Sequence, residues 1–161
     1  VLFRSDPEDN ENYIPYVVET SIGLDRMFLA VMSMALNEEV LEDGSSRVVM
    51  NIPSFLAPYK VAVLPLMKKD GLPEKAREIL NRLKLDHNCL YEEKDAIGKR
   101  YRRMDAIGTP YCITVDHQTL EDNTVTIRDR DTMQQVRVSI DQLPAMVNEK
   151  VSMGAQLGKL V

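Results

Sequence analysis

Residues 19–26, with the sequence ETSIGLDR, combine an acid, two hydroxyls, a glycine and an arginine where a β-forming run gives way to a helix. Glu19 and Ser21 share the parity of a strand, so both can face one pocket, and an acid beside a hydroxyl suits an ammonium group. Gly23 lets a ligand approach the backbone, and Arg26 can bind a phosphate or lie on a purine ring. The pattern predicts a site for a small amine next to a nucleotide. The alternative is a strand-to-helix turn with a surface acid and a solvated arginine.

A second group with chemical potential is a run of four basic residues within five positions: Lys99, Arg100, Arg102 and Arg103. They fall on a predicted helix with an apolar stripe of Ile97, Tyr101 and Met104, and three of the four, all but Arg100, project away from that stripe. Such a face can bind RNA phosphates, or it can be an ordinary solvated helix face. Base contacts in such an RNA-binding domain are expected from sheet edges and loops, where Glu92, Glu93 and Arg128 are further candidates, without an order among them.

Two histidines and two cysteines raise the question of a metal site: His87, Cys89, Cys112 and His117. Cys112 and His117 have opposite strand parity and do not converge if their strand continues, and the sequence contains no C-x-x-C pair. We therefore predict no metal site and expect both cysteines to be small core residues.

The composition of the 161 residues is that of a soluble chain, with 44% hydrophobic and 28% charged residues. It contains neither an apolar run of about 20 residues nor a signal-peptide pattern, so we expect a cytoplasmic protein. The net charge of −5 is uneven, at −7 for residues 1–58 and +2 for residues 59–161, which suggests two regions with different partners. Residues Val1–Ser5 lack an initiator Met and look foreign to the fold, so we expect a fragment.

The elements that would position these groups follow from hydrophobic periodicity. Residues 13–19 are predicted as a strand, and Leu24, Phe28 and Val31 begin a helical spacing that extends to about Val40. A segment rich in Gly, Ser and Pro follows and is interpreted as a linker, with a boundary near residue 55.

Beyond that boundary the sequence predicts an α/β domain. Strands are expected at KVAVLPL, NCLYE and TPYCITVD, followed by a hairpin at NTVTIRDRDTMQQVRVSI. Helices are expected at LPEKAREILNRLK, DAIGKRYRRMDAIG and QLPAMVNEKV, the last capped by Asp141. This order predicts a mixed sheet of about five strands flanked by helices on both faces.

Two segments carry a resemblance to a known family. PYVVETSIGLDR resembles motif 3 of the class II aminoacyl-tRNA synthetases, in particular the homodimeric glycyl-tRNA synthetases, in which the strand carries Glu-Pro-Ser and the helix opens with Gly-x-x-Arg. The stretch from YKVAVLPL to TVTIRDRDTMQQVRV resembles the anticodon-binding domain of the same enzymes. The resemblance implies a remnant of the antiparallel catalytic domain, one strand and one helix with a linker, at residues 1–54. It implies an anticodon-binding domain at residues 55–161.

The resemblance also implies roles for individual residues. The glycine substrate would be bound by Glu19, Thr20, Ser21, Ile22 and Gly23. ATP would be bound by Gly23, Leu24, Asp25 and Arg26. Transfer RNA would be bound by Lys99, Arg100, Arg102 and Arg103. Thr20 departs from the family pattern, in which this position is Pro.

The implied function is that of a glycine–tRNA ligase, which forms glycyl-adenylate from ATP and then transfers glycine to its tRNA without a catalytic side-chain nucleophile. Mg²⁺ is expected from the family, with no ligand identified, and the full-length enzyme is expected to be a homodimer. Motifs 1 and 2 are not found, so the fragment alone should be inactive. Three alternatives remain: a non-catalytic RNA-binding accessory module, another class II synthetase (prolyl, threonyl or histidyl), and a flavodoxin-like ligand module.

Overall fold

The computed structural model describes residues 4–41 and 43–158, which form two compact units, residues 1–30 and 31–161. Of the predicted foreign segment Val1–Ser5, the first three residues lie outside the described part of the chain, as does Glu42 in the predicted linker. The two units differ from the predicted division at residue 54. That division concerns the domains of the parent enzyme and stays a prediction.

The first unit contains little regular structure. Strands β1 (Arg4–Ser5) and β2 (Asn12–Tyr13) pair antiparallel, and helix α1 (Leu24–Ala35) begins after an irregular segment, residues 14–23. The predicted strand at residues 13–19 is therefore wrong. Only Tyr13 of this segment is in a strand, and residues 14–19 form no described strand; Tyr16 and Val18 are fully exposed, at 103% and 97%. A β-branched run alone cannot satisfy the backbone hydrogen bonds that define a strand.

In the second unit, the end of α1 is followed by a hairpin that the sequence did not predict. Strands β3 (Leu36–Val40) and β4 (Ser46–Met50) pair antiparallel across a turn in which Gly44 has φ 79°. Helix α1 thus ends five residues earlier than predicted, and part of the predicted linker is a strand. The side-chain amide of Asn37 donates to the carbonyl oxygen of Ala35 at 3.0 Å, which satisfies an acceptor that the helix end leaves unpaired.

The remaining elements form a five-stranded sheet with helices on both faces, which confirms the predicted fold class. In chain order they are β5 (Val61–Pro65), α2 (Leu72–Leu83), β6 (Cys89–Tyr91), α3 (Ile97–Ala106), β7 (Tyr111–Val115), α4 (His117–Asp122), β8 (Thr124–Asp129), β9 (Gln135–Ser139), α5 (Leu143–Val151) and α6 (Met153–Leu157). The strand order is β6-β5-β7-β8-β9, with β5 parallel to both neighbours and the β7–β8 and β8–β9 pairs antiparallel.

The core divides by strand parity. On one face Val61 and Val63 pack in the cluster that contains residues of α2 and α5, and on the other Ala62 and Leu64 pack with Met104 of α3. All five residues of β5 are buried, which explains why its sequence is continuously apolar. The sheet thus holds α3, with its four basic residues, on the face opposite α2.

At two capping residues, Asp116 and Asp141, the structure differs from what the sequence predicted. Helix α4 was not predicted, although Asp116 and Thr119 form a capping box in which the Thr119 N–H donates to Asp116 Oδ1 at 3.0 Å. Asp141 does not cap the last helix. It lies in a 3₁₀ turn, Ile140–Gln142, that precedes α5, and the Ser139 hydroxyl accepts from the Asp141 N–H.

Candidate nucleic-acid interface

The α3 helix places its four basic residues on different surfaces. Ile97, Tyr101 and Met104 form the predicted apolar stripe and pack on the sheet. Lys99 and Arg102 are exposed, as helical geometry requires of positions off the stripe.

Arg100 is a correction to the predicted tRNA-binding set. It is 2% exposed, and its guanidinium donates to the carbonyl oxygens of Pro65 at 2.6 Å, Leu66 at 3.2 Å and Glu92 at 3.2 Å. Burial lowers the pKa of this guanidinium. Arg100 lies three residues after Ile97 and four before Met104, so it belongs to the buried stripe, and it anchors α3 to the ends of two strands rather than facing RNA.

A shallow groove of about 400 Å³ lies between β4 and α3. Ser46, Arg47 and Val48 line it from the strand, and Lys99, Arg102, Arg103 and Ala106 line it from the helix. Three of the four predicted tRNA-binding residues are thus brought to one groove. The strand residues were not predicted, because the sequence carries no signal for a contact across more than fifty positions.

The cations that line the groove differ in the hydrogen bonds and ion pairs that they form with the rest of the protein. Arg103 donates to Asp95 at 2.8 Å and to the carbonyl oxygen of Lys94 at 2.6 Å; the Asp95 hydrogen bond raises the pKa of Arg103, and the same bond lowers that of Asp95. Arg102 donates to the Ser45 hydroxyl at 3.1 Å. Among the described residues, neither Lys99 nor Arg102 has a carboxylate within ion-pair distance.

Below the groove, one buried carboxylate joins β4, α3 and β8. Asp105, 1% exposed, accepts from Arg47 at 2.9 Å and from both terminal nitrogens of Arg128 at 2.8 and 3.0 Å. Arg47 also donates to Glu39 at 2.8 Å and to the carbonyl oxygen of Arg130 at 3.1 Å. Burial opposes the charge on Arg128, but its hydrogen bonds to Asp105 prevail and raise the pKa. The predicted role of Arg128 in base contact is wrong, because its guanidinium is buried in this network.

The residues predicted to bind glycine and ATP lie in the first unit. Glu19, Thr20, Ser21, Ile22 and Gly23 are exposed and outside regular structure, and Leu24, Asp25 and Arg26 occupy the first turn of α1. Two of the residues predicted to bind ATP lie side by side: a Cβ built on Gly23 would be 3.7 Å from Arg26 Cδ. Because no strand forms here, the expected common orientation of Glu19 and Ser21 is not observed.

The cysteines occupy opposite faces of the sheet. Cys112 is buried in the α3-side cluster, which confirms the prediction of a core residue, whereas Cys89 is partly buried and packs against the α2-side cluster. Burial raises the pKa of the Cys89 thiol to about 11 and that of Cys112 to about 12. In the described ranges no group of three or more His, Cys, Asp or Glu side chains is arranged to hold a metal ion.

Comparison with known proteins gives a family and close relatives. A family model described as an anticodon binding domain matches residues 60–150. Over 146 residues, 91% of this chain, the sequence is 54% identical to a glycine–tRNA ligase of Clostridium tetani, and over 141 residues, 88% of the chain, it is 50% identical to a glycine–tRNA ligase of Borrelia hermsii. The aligned parts cover 31% and 32% of those relatives, so the chain spans about a third of their length.

A solved structure shares the fold. The RNA binding domain of threonyl-tRNA synthetase from Cryptosporidium parvum superimposes with a TM-score of 0.57 and 22% identity, over 63% of this chain and 26% of the other. In the part of the chain that the structure describes, no helix is both long and apolar enough to cross a bilayer.

Proposed function

The chain belongs to the anticodon-binding domain family, and from that premise we propose that it is the C-terminal part of a glycine–tRNA ligase and supplies that enzyme's anticodon-binding domain. The observation that carries the proposal is the 54% identity to one such ligase over 91% of the chain. That alignment is too long to be confined to the 91 residues of the family match, and so it also includes residues outside the anticodon-binding domain.

We propose the following chemistry for the intact enzyme. The carboxylate of glycine attacks the α-phosphate of ATP and pyrophosphate leaves. A hydroxyl at the 3′ end of the tRNA then attacks the glycyl carbonyl of the glycyl-adenylate, an ester forms and AMP leaves. Residues 19–23 would bind glycine, with Glu19 and Ser21 on its ammonium group, and residues 23–26 would bind ATP, with Arg26 on the adenine and phosphates. Such catalysis depends on positioning and charge neutralisation rather than on a side-chain nucleophile.

The second unit would supply tRNA recognition. The exposed cations of α3, Lys99 and Arg102, together with Arg103, would bind the RNA backbone. As the family implies, we propose that the intact enzyme is a cytoplasmic homodimer. We assign no residue to Mg²⁺ and derive no step through it, because no described cluster of acidic or histidine side chains fits a metal.

The test of tRNA recognition uses the 161-residue chain and two transcripts, glycine tRNA and the same tRNA with its anticodon changed. We expect the altered anticodon to weaken binding about fivefold or more, because one lost base contact costs about 1–3 kcal/mol. Equal binding of both transcripts would mean that the chain contacts RNA phosphates through a basic surface and does not recognise the anticodon. No binding of either would favour an accessory module without this function.

The test of chemistry uses the intact protein of which the chain is part. It should exchange pyrophosphate into ATP in the presence of glycine and not of proline, threonine or histidine, whereas the 161-residue chain alone should show no exchange. Exchange with one of the other three amino acids would assign the protein to a different class II synthetase.

A further inference from the structure

The groove between β4 and α3 has two walls from distant parts of the chain, and we propose that it is a docking surface for the phosphate backbone of tRNA, contacting the RNA without reading its sequence. The strand wall is Ser46, Arg47 and Val48, and the helix wall is Lys99, Arg102, Arg103 and Ala106. The inference rests on the proposed tRNA-binding function and deepens it, since it assigns to this surface positioning rather than anticodon reading.

The charges on the helix wall favour a phosphate partner. Lys99 and Arg102 are exposed, and no described carboxylate lies within ion-pair distance of either. Arg103 pairs with Asp95 but keeps 40% of its side chain exposed. Lys99 and Arg102 lie about one helical turn apart on the same wall, and at longer range Lys99 interacts electrostatically with Asp95 and Arg102 with Asp43. Because neither cation is held in an ion pair with a described carboxylate, both can bind the anionic backbone of RNA, and each phosphate that they neutralise releases counterions.

The rest of the lining favours backbone contact over aromatic stacking. Bases are recognised by aromatic or guanidinium planes that stack on them and by groups, arginine and lysine among them, that hydrogen-bond their edges. The residues that line the groove include no aromatic ring, amide or carboxylate, and between the cations they are the small side chains of Ser46, Val48 and Ala106. A shallow, cationic groove with small walls suits the backbone, whose contacts set position and carry no sequence information.

The strand wall is held rigidly against the helix although it lies outside the residues that the family model matches, 60–150. Arg47 is 4% exposed, and its hydrogen bond to Asp105 of α3 is 2.9 Å long. At the rim, Arg102 donates to the Ser45 hydroxyl at 3.1 Å. Val48 follows Arg47 in β4 and therefore points to the other side of the strand. It is 47% exposed and lines the groove, so a charge placed there would face the bound RNA.

The first experiment removes the two unpaired cations from the full 161-residue chain, as Lys99→Gln with Arg102→Gln, and measures binding of glycine tRNA by fluorescence anisotropy at several salt concentrations. Each lost phosphate contact should weaken binding about fivefold near 0.15 M salt, from a counterion-release slope of about 0.9 per contact. The double variant should therefore bind about 30-fold more weakly, and its salt slope should fall by about two. The loss should be the same for the tRNA with an altered anticodon.

The control removes the same two residue types from the opposite face of the sheet, Arg82 at the end of α2 and Lys84 at its C-cap, as Arg82→Gln with Lys84→Gln. Arg82, unlike the α3 cations, is in an exposed ion pair with Asp141. The control variant should leave both affinity and salt slope unchanged. An equal loss of affinity in the control would mean that net charge alone decides binding, which would overturn the proposal that the groove is the docking surface. A loss in the α3 variant that depends on the anticodon would overturn the assignment to backbone contact.

The second experiment tests the strand wall by opposite charges at one exposed site. Val48→Glu should weaken tRNA binding about fivefold or more, and Val48→Lys should strengthen it by a similar factor. A folding defect would weaken binding in both variants, so opposite signs identify an electrostatic contact. Unchanged binding in both would exclude β4 from the interface. If the unaltered chain does not bind glycine tRNA, the proposed function itself fails, which is a different result from a groove variant that binds normally.

Discussion

Replacing Asp105 by Asn should destabilise the second unit more than any other single removal of charge discussed for it. The Asp105 carboxylate is 1% exposed and accepts from Arg47 and Arg128, whose side chains are 2% and 7% exposed. Asn keeps the shape and one acceptor oxygen but removes the negative charge. Arg47 keeps its ion pair with Glu39 at 2.7 Å, whereas Arg128 is left buried without a carboxylate partner among the described residues. Breaking a buried ion pair from one side typically costs about 3–5 kcal/mol, because the remaining charge is uncompensated.

The assay is thermal unfolding of the 161-residue chain followed by far-UV circular dichroism. For a chain of this size each kcal/mol moves Tm by about 2–4 °C, so the expected loss is about 6–20 °C. The matched control is Asp141→Asn, which makes the same chemical change at an ion pair with Arg82 where the two side chains are 75% and 49% exposed. An exposed pair contributes at most about 1 kcal/mol.

A second substitution tests whether the cost comes from unpaired charge. With Arg47→Met already present, Asp105 has lost one of its two cationic partners, so Asp105→Asn should cost less than it does in the unaltered chain. The expected coupling is about 0.5–3 kcal/mol. A Tm for Asp105→Asn within the range of the Asp141→Asn control, or strict additivity with Arg47→Met, would refute the reasoning.

Two further predictions concern local geometry and pH. Gly108→Ala should lower the free energy of unfolding, measured by urea titration, by about 1–3 kcal/mol, because Gly108 has φ 82° and a Cβ there would lie 2.9 Å from Ile52 Cγ2. The control is Gly71→Ala, which should cost less, because Gly71 has a similar φ of 78° but a Cβ there would have no neighbour within 4 Å. The hydrogen bond from Arg137, at 2.7 Å, lowers the pKa of Asp116 below 3.8 despite partial burial. A carboxylate with a lowered folded-state pKa stabilises fully above its unfolded-state pKa and loses that effect as pH falls through the folded value. The destabilisation by Arg137→Gln should therefore be complete near neutral pH and shrink below about pH 4, and a difference that grew towards acid would contradict this sign.

The elements of the second unit were predictable where local pattern and burial agree. The continuous apolar run of β5 predicted a strand covered on both faces, and all five of its residues are buried. The stripe of α3 likewise predicted which side packs on the sheet. In both cases the side-chain period of the element is enough to separate inside from outside.

The elements that failed depend on partners distant in sequence. The run at residues 13–19 has the composition of a strand, but only Tyr13 is paired, and residues 14–19 have no described strand partner. Strands β3 and β4 lack a strong alternating pattern, and their pairing replaces the last predicted turn of α1. Strand formation requires a second strand, so β propensity alone does not decide it.

Charged residues show the same division. The sequence predicted a cationic face on α3, and Lys99 and Arg102 are exposed there, as the helical spacing predicted. The sequence also assigned Arg100 to RNA and offered Arg128 as a candidate, yet both are buried. Arg100 donates to backbone carbonyls and Arg128 to Asp105. Whether an arginine faces solvent or an internal acceptor depends on what lies opposite it in space, and a single sequence does not contain that information.

By itself the sequence determined the α/β class, the helices on both faces of the sheet and the resemblance to glycyl-tRNA synthetases, which the family match and the relatives confirm. These follow from local periodicity and from motifs that are contiguous along the chain. Only the tertiary structure decided that β4 forms the second wall of the groove and that Asp105 binds two arginines from β4 and β8. Those contacts join residues 23 to 58 positions apart, and their stability comes from burial and pairing that exist once the chain has folded.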